Sequence, residues 1–271
     1  MDARPIGVFD SGMGGLTAVR QMIRLLPGED IVYFGDTGRV PYGGRSAETI
    51  VRYARQDVAF LRGFDLKAVV IACGTVSTTA LDVLRRENGL PILGVVQPAA
   101  RAAAGATRSG KIGVIGTKAT IRSGAYEAAI RALLPQVELT ARACPLLVPL
   151  VEDGRVRRGD AVTERVVEEY LSPVRAAGVD TLVLGCTHYP LLRDVISDFM
   201  GESVSLIDTG EEAARAAAEL LGGQGRLNDP NRAGQRRYYA SDSAEDFAAT
   251  AALFLGKDIA GRVERVAIEN Y

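Results

Sequence analysis

Two cysteines stand at places in the chain where a side chain could do chemistry. Cys73 follows the apolar run Ala-Val-Val-Ile-Ala, and Cys186 follows the run Leu-Val-Leu-Gly. Short, almost continuously apolar runs predict strands that are buried on both faces of a parallel sheet. Ligands of open α/β sheets bind just beyond the carboxyl ends of the strands. We therefore expect both thiols to lie at a ligand-binding edge, where they could flank one ligand from opposite sides.

Nearby residues could activate these thiols. The only histidine, His188, lies two residues after Cys186, and Asp10 ends the first predicted strand. A thiolate forms near neutral pH only where donors or positive charge are close. We assign His188 as the candidate partner of Cys186 and Asp10 as that of Cys73, which makes an activated pair of thiols the hypothesis. A single free cysteine is more often a small buried hydrophobe, so the hypothesis depends on the pair.

Other sites could be built from the same stretches. Zinc could bind Cys186 and His188 with the other two cysteines, although the chain lacks the C-x₂-C clusters of structural zinc sites. The glycine-rich turn 11–15 could hold a phosphate, a dinucleotide or a carboxylate, but it lacks the third glycine of G-x-G-x-x-G. Pyridoxal phosphate needs a lysine, and only Lys118 stands at a strand end. We predict neither a metal nor a cofactor.

The elements that must position these residues alternate between strand and helix signals, which predicts an α/β fold. The strand-then-hydroxyl patterns at 6–11 and 112–117 are alike, so we expect two similar lobes. Each would be a mainly parallel sheet flanked by helices, with the active site in the cleft between them. A stretch rich in turn residues, 35–44, predicts a long functional loop. The predicted lobes are 1–97 plus 209–271, and 98–208.

Length, charge and cysteine content narrow the class of protein. A chain of 271 residues exceeds the usual size of a single core. The net charge of −1, without a long basic stripe, argues against a nucleic-acid partner. No stretch has the length or pattern of a transmembrane helix or a secretory signal, and three cysteines do not make a disulfide framework. We expect a cytoplasmic protein with neither a nucleic-acid nor a membrane partner.

Several blocks, in their order along the chain, resemble the glutamate racemases of the aspartate/glutamate racemase superfamily. The most specific are Val-Pro-Tyr-Gly at 40–43 and Gly-Cys-Thr-His-Tyr-Pro-Leu-Leu at 185–192. The family fold, two similar α/β lobes with the site between them, agrees with the expectation from the strand pattern. The matching blocks are 7–16, 35–37 with 40–43, 72–73 with Thr75, 112–117 and 185–192.

The resemblance implies a cofactor-independent isomerase that interconverts L- and D-glutamate and supplies D-glutamate for peptidoglycan synthesis, cell wall biogenesis and cell shape. Cys186 would deprotonate the L-isomer and Cys73 the D-isomer, assisted by His188 and Asp10 respectively. The family also implies a homodimer with glutamate as its small-molecule partner. Glu152 could assist from the second lobe. The expected substrate contacts are Asp10, Ser11, Tyr42, Gly43, Gly74, Thr75, Thr117, Thr187 and His188.

The chain departs from the family pattern directly after the first cysteine, where Gly74 replaces the usual asparagine. An asparagine side chain can hydrogen-bond the charged end of the substrate, whereas glycine offers only its backbone. The departure concerns substrate anchoring more than proton transfer, because both thiols are kept. Two alternatives stay open: a racemase for aspartate or another amino acid, and a non-catalytic carboxylate-binding protein on the same scaffold.

Overall fold

The computed structural model describes residues 1–271 and contains ten strands and twelve α-helices. The strands are β1 (Ile6–Asp10), β2 (Ile31–Gly35), β3 (Ala68–Ile71), β4 (Ile92–Gly94), β5 (Lys111–Gly116), β6 (Glu138–Ala143), β7 (Thr181–Leu184), β8 (Ser205–Asp208), β9 (Arg236–Ala240) and β10 (Val263–Arg265). The helices are α1 (Leu16–Leu25), α2 (Ala47–Leu61), α3 (Gly74–Thr79), α4 (Leu81–Glu87), α5 (Val96–Ala106), α6 (Lys118–Arg122), α7 (Ala125–Leu133), α8 (Leu147–Glu152), α9 (Ala161–Ala176), α10 (Arg193–Met200), α11 (Thr209–Gly223) and α12 (Ala244–Leu255).

The strands form two parallel sheets. Their orders are β10-β9-β2-β1-β3-β4 and β6-β5-β7-β8, and every neighbouring pair is parallel. The predicted class, α/β with two mainly parallel sheets flanked by helices, is confirmed. The first sheet takes strands from both ends of the chain and the second takes strands from the middle. We keep the lobe limits of 1–97 plus 209–271 and 98–208 as a proposal.

The central strands are the ones that lead to the candidate residues. Strands β1, β3 and β7 are buried along their whole length, as their continuous apolar runs predict. Strand β6, which carries Glu138 and Arg142, lies at an edge and is partly exposed. Strands β1, β3, β5 and β7 each have a neighbour on both sides. Their carboxyl ends are therefore held firmly by hydrogen bonds on two flanks.

Helices join the two sheets into one packed unit. Helix α11 contacts both α1 and α5, and one buried apolar cluster includes Val19 of α1, Ala217 of α11 and Leu184 of β7. Burial of this shared apolar surface stabilises the arrangement of the two sheets. None of the helices combines the length and the hydropathy that crossing a membrane would require.

Candidate active site

A cavity of about 460 Å³ lies where the carboxyl ends of four central strands meet. Its wall includes residues that directly follow β1 and β3 in the first sheet and β5 and β7 in the second. The loop after β2 and helix α8 complete the wall. Parallel strands place their functional side chains at this edge, which explains why distant parts of the chain meet here.

Most of the residues predicted from the sequence lie in this wall, and one lies behind it. Asp10 is 1% exposed and is not part of the cavity surface. The roles of all these residues remain predictions. The predicted residues that line the cavity are Ser11, Tyr42, Gly43, Cys73, Gly74, Thr75, Thr117, Glu152, Cys186, Thr187 and His188.

Cys73 has the environment of a protonated thiol. Its Sγ lies 3.3 Å from Ser11 Oγ, and the residue is 5% exposed. Burial, reinforced by the negative charge of Asp10, raises the pKa of Cys73 to about 12, because both disfavour the thiolate. Cys73 is therefore protonated near neutral pH unless a positive charge comes close to it.

Asp10 sits beside this thiol with one unpartnered oxygen. Its Oδ2 accepts a hydrogen bond from Gly15 N at 3.0 Å, whereas Oδ1 is buried without a partner. Burial raises the pKa of the Asp10 carboxyl, while the charge of His188 opposes that shift. An unpartnered buried carboxylate oxygen is costly, so Oδ1 is a strong acceptor for any donor that reaches it.

Cys186 belongs to a chain of three side chains. Its Sγ lies 3.8 Å from His188 Nδ1, and His188 Nε2 lies 3.0 Å from Glu152 Oε1. Burial alone would lower the pKa of His188, but interactions with Cys186 and Glu152 outweigh it and raise the pKa to about 10. The raised pKa favours the imidazolium form of His188, whose Nδ1 faces the sulfur of Cys186.

The glycine-rich turn after β1 packs against the second lobe. A Cβ atom on Gly14 would lie 2.3 Å from Thr187 Oγ1 and 2.6 Å from His188 Nδ1. Thr17 Oγ1 donates a hydrogen bond to the Thr187 carbonyl at 2.9 Å. The absent side chain at Gly14 is thus explained by close approach to the His188 segment.

Hydroxyl groups from both lobes meet at another part of the wall. Thr75 Oγ1 and Thr117 Oγ1 are 3.1 Å apart, and Thr117 Oγ1 lies 3.0 Å from Thr120 Oγ1. A Cβ atom on Gly43 would lie 3.4 Å from Thr117 Cβ. This polar corner offers hydroxyl donors of the kind that bind a carboxylate.

Gly74 allows the two thiol-bearing segments to approach each other closely. A Cβ atom at this position would lie only 2.6 Å from the carbonyl oxygen of Gly185, the residue before Cys186. Such a contact with backbone atoms cannot be relieved by a side-chain rotation, so a larger residue would require the backbone to shift. Glycine at this position therefore permits the close approach of the segment that carries Cys186.

The structure also tests the remaining alternatives. The zinc hypothesis is not supported, because no group of three or more His, Cys, Asp or Glu side chains is placed to hold a metal ion. Cys144 is fully buried in the apolar core, away from the cavity wall. The sequence did not mark the apolar part of the wall, since Pro145, Val148 and Pro149 carry no chemical signature. Lys118, the lysine on which the pyridoxal phosphate alternative depends, does line the cavity.

Comparison with known proteins places these features in a family. The Asp/Glu/Hydantoin racemase family model matches residues 6–217. The chain is 48% identical over 269 residues to the glutamate racemase of Geobacter metallireducens, covering 99% of this chain and 98% of that protein. The crystal structure of glutamate racemase isoform RacE1 from Bacillus anthracis matches with a TM-score of 0.93 at 40% identity, covering 98% of both chains. Glutamate racemase from Francisella tularensis, solved in complex with D-glutamate, matches with a TM-score of 0.90 at 36% identity over the whole of both chains.

Proposed function

The chain belongs to the Asp/Glu/Hydantoin racemase family, and from this premise we propose that it interconverts L- and D-glutamate without a cofactor. In this reaction one thiol removes the Cα proton and the other thiol delivers a proton to the opposite face. The observation that carries the proposal is that Cys73 and Cys186, from different lobes, line the same cavity.

The different surroundings of the two thiols fit the direction from L- to D-glutamate. The imidazolium of His188 favours a thiolate at Cys186, which takes the Cα proton and becomes a thiol. Cys73, whose pKa is raised to about 12, is protonated and gives its proton to Cα. The turnover ends with a thiol at Cys186 and a thiolate at Cys73, which is the state that the reverse direction requires.

The carbanion formed between these two steps requires stabilisation by groups that are already in place. The hydroxyl-bearing residues Ser11, Thr75 and Thr187 line the cavity, as does Gly74, which offers one backbone N–H group after β3. The substrate ammonium, drawn towards Asp10 behind the cavity wall, would offset its negative charge, so that Asp10 would oppose ionisation of Cys73 less. We propose that the substrate contacts are Asp10, Ser11, Tyr42, Gly43, Gly74, Thr75, Thr117, Thr187 and His188, with Glu152 assisting through His188.

The test is isotope exchange in D₂O with L-glutamate and, separately, D-glutamate. We expect deuterium at Cα and formation of the opposite isomer in wild type, and loss of racemisation in Cys73→Ser and in Cys186→Ser. Cys144→Ser is the matched control, because Cys144 lies in the core outside the cavity. Binding of glutamate without any exchange at Cα would favour the carboxylate-binding alternative and refute the racemase proposal.

The preference for glutamate over aspartate needs a separate measurement, because Gly74 replaces the asparagine usual in the family. A panel that contains glutamate and aspartate, assayed for exchange at Cα, separates the two racemase candidates. Faster exchange with aspartate than with glutamate would move the proposal to the aspartate alternative. We expect glutamate to be preferred, in line with relatives that align over almost the whole chain.

We further propose that the protein is a cytoplasmic homodimer whose product serves peptidoglycan synthesis, cell wall biogenesis and cell shape. The support is family resemblance. Sedimentation of the purified protein measures the oligomeric state. Growth of a bacterial strain that requires added D-glutamate, after it receives this gene, measures the supply role. A monomer would contradict the first part, and failure of an active enzyme to restore growth would contradict the second.

A further inference from the structure

The loop between β2 and α2 carries two proposed substrate contacts, Tyr42 and Gly43. Its regular structure is limited to two short 3₁₀ turns, Thr37–Arg39 and Tyr42–Gly44. Such a loop needs side-chain interactions to keep one shape. The loop is held by a cluster of three charged residues, Asp36, Arg39 and Asp57, none of which lines the cavity.

Arg39 bridges two buried carboxylates. Its Nε lies 2.6 Å from Asp36 Oδ2, and its Nη2 lies 3.0 Å from Asp57 Oδ1. The Asp36 and Asp57 side chains are fully buried, and that of Arg39 is 11% exposed. The guanidinium also lies 4.1 Å from the centroid of the Tyr53 ring and donates to Gln56 Oε1. Arg39 thus ties the loop to helix α2 through several contacts at once.

Neutral groups complete the cluster and favour Asp36 as the ionised carboxylate. Tyr42 donates its hydroxyl proton to Asp36 Oδ2, and Ser241 Oγ donates to Asp36 Oδ1 at 2.8 Å. Asp36 therefore receives three donors when Arg39 is included. Asp57 receives Arg39 on one oxygen, and its Oδ2 lies 3.4 Å from the Tyr42 hydroxyl.

The charges of the cluster do not balance if both carboxylates are ionised. One guanidinium faces two carboxylates, and the next charged group that affects Asp57 is the carboxylate Asp10, which adds to the excess. A buried charge without a partner is so costly that the group takes up a proton instead. Burial, followed by the charge of Asp36, raises the pKa of Asp57 well above its ordinary value.

We propose that Arg39 is a positioning residue for the substrate, and that Asp57 beside it is a neutral carboxylic acid. The proton on Asp57 Oδ2 points to the Tyr42 oxygen, and the Tyr42 proton points to Asp36. The cluster then contains one anion and one cation, and its hydrogen bonds fix the ring of Tyr42 in the cavity wall. The kinetic part of this inference rests on the proposed racemase function.

The kinetic test replaces Arg39 with methionine and uses Arg45→Met as the matched control. Arg45 belongs to the same segment, is exposed, and makes no ion pair. We expect Arg39→Met to raise the KM for glutamate by about tenfold or more with a smaller fall in kcat, because the loop is misplaced rather than the reacting groups. The control should stay within about twofold of wild type, since surface changes of this kind have small effects.

The pH dependence distinguishes loss of a charge from general damage. Without Arg39, the buried Asp36 carboxylate has no cation beside it, so low pH restores the cluster by protonating that carboxylate and rising pH leaves an unpaired buried charge. The groups that face the cluster are Tyr42 of the loop, Tyr53 and Gln56 of α2 and Ser241 after β9, and the charge of Asp10 also acts on Asp57. All of these groups are the same in wild type and in Arg39→Met. The KM of Arg39→Met relative to wild type should therefore rise with pH, and a ratio that does not change with pH would overturn the positioning role.

Two further measurements can each contradict one part of the proposal. Arg39→Lys keeps one charge but cannot bridge both carboxylates equally, so its KM should lie between those of wild type and Arg39→Met, and an unchanged KM would contradict the bridge. Infrared difference spectra of wild type and Asp57→Asn at neutral pH should show one protonated carboxylic acid lost in the variant. Absence of that band would overturn the neutral Asp57. The infrared test needs no turnover, so it stands even if wild type exchanges no Cα proton and the racemase proposal fails.

Discussion

Replacing Asp10 with asparagine separates the two causes that keep Cys73 protonated. Burial of the thiol would remain, because asparagine has nearly the same shape and its carbonyl can still accept the hydrogen bond from Gly15 N. The negative charge of Asp10 would be lost. We therefore expect Asp10→Asn to make Cys73 more reactive as a thiolate, although it removes a group that the proposed mechanism needs for turnover.

The size of the effect follows from the pKa of about 12 that Cys73 has in the folded protein. At about pH 8, a group with that pKa is ionised in about one molecule in ten thousand, against about a quarter for an ordinary thiol. Because nucleophilicity rises with pKa with a Brønsted coefficient of about 0.4, wild-type Cys73 should react about a hundredfold more slowly than an ordinary thiol. A nearby charge contributes roughly one to two pKa units, so Asp10→Asn should react about five- to fifteenfold faster than wild type.

The assay is reaction with a small neutral disulfide at about pH 8, followed by mass analysis of the peptides that contain each cysteine. Cys144 provides an internal reference, because its pKa is also raised to about 12 by burial but it lies outside the cavity. Cys144 should stay unreactive in both proteins. Equal rates for Cys73 in wild type and Asp10→Asn would refute the assignment of Asp10 as the charge that opposes its ionisation.

A stability measurement excludes unfolding as the cause of faster modification. Burial raises the pKa of the Asp10 carboxyl, so the folded state holds that proton more tightly than the unfolded state. Its contribution to stability is complete below the ordinary carboxyl pKa and is lost as pH rises towards the folded value. Asparagine stays neutral throughout, and we expect the Tm of Asp10→Asn at about pH 8 to equal or exceed that of wild type.

Three further substitutions test the contacts around the cavity. Glu152→Gln removes a carboxylate 3.0 Å from His188 Nε2 and should lower the pKa of His188. Because the Glu152 side chain is 45% exposed, solvent screening should limit the fall to about one unit. NMR titration of His188, the only histidine, measures it. Gly14→Ala would place Cβ 2.6 Å from His188 Nδ1 and should lower kcat/KM about tenfold or more in both directions. The control is Gly105→Ala, whose Cβ would meet no atom within 4 Å, and it should leave kcat/KM unchanged. Gly74→Ala would place Cβ 2.6 Å from a carbonyl oxygen of the other lobe, so glutamate titrations should give a higher KM and thermal unfolding a lower Tm.

The sequence was most informative for functional residues whose neighbours along the chain show where a strand ends. Cys73 and Cys186 could be placed at strand ends because a continuous apolar run followed by small polar residues is a local signal. The neighbouring His188 could be assigned for the same reason. Motif order then indicated the family, and the two parallel sheets followed from the alternation of strand and helix signals.

Contacts between distant segments left no comparable signal. Glu152 reaches His188 from the end of α8, and nothing in the sequence near Glu152 marks that contact. Arg39 meets Asp57 across the gap between a loop and a helix, and nothing in the spacing of the two residues marks that pair. The reason for Gly14 is also hidden, because it depends on how the two lobes pack together. These contacts become visible only in three dimensions.

The two thiols have unequal surroundings, and this inequality bears on how one site could catalyse the proposed reaction in both directions. Cys186 faces an imidazolium, while Cys73 faces the Asp10 carboxylate. If both thiols had the same partner, the resting enzyme would hold two acids or two bases and could accept neither isomer. In the proposed mechanism, opposite partners give one base and one acid, which is the pair that would remove and return a proton in a single turnover. The substrate ammonium, by offsetting the charge of Asp10, would bring the two thiols closer in basicity only when glutamate is bound, so that either direction can proceed.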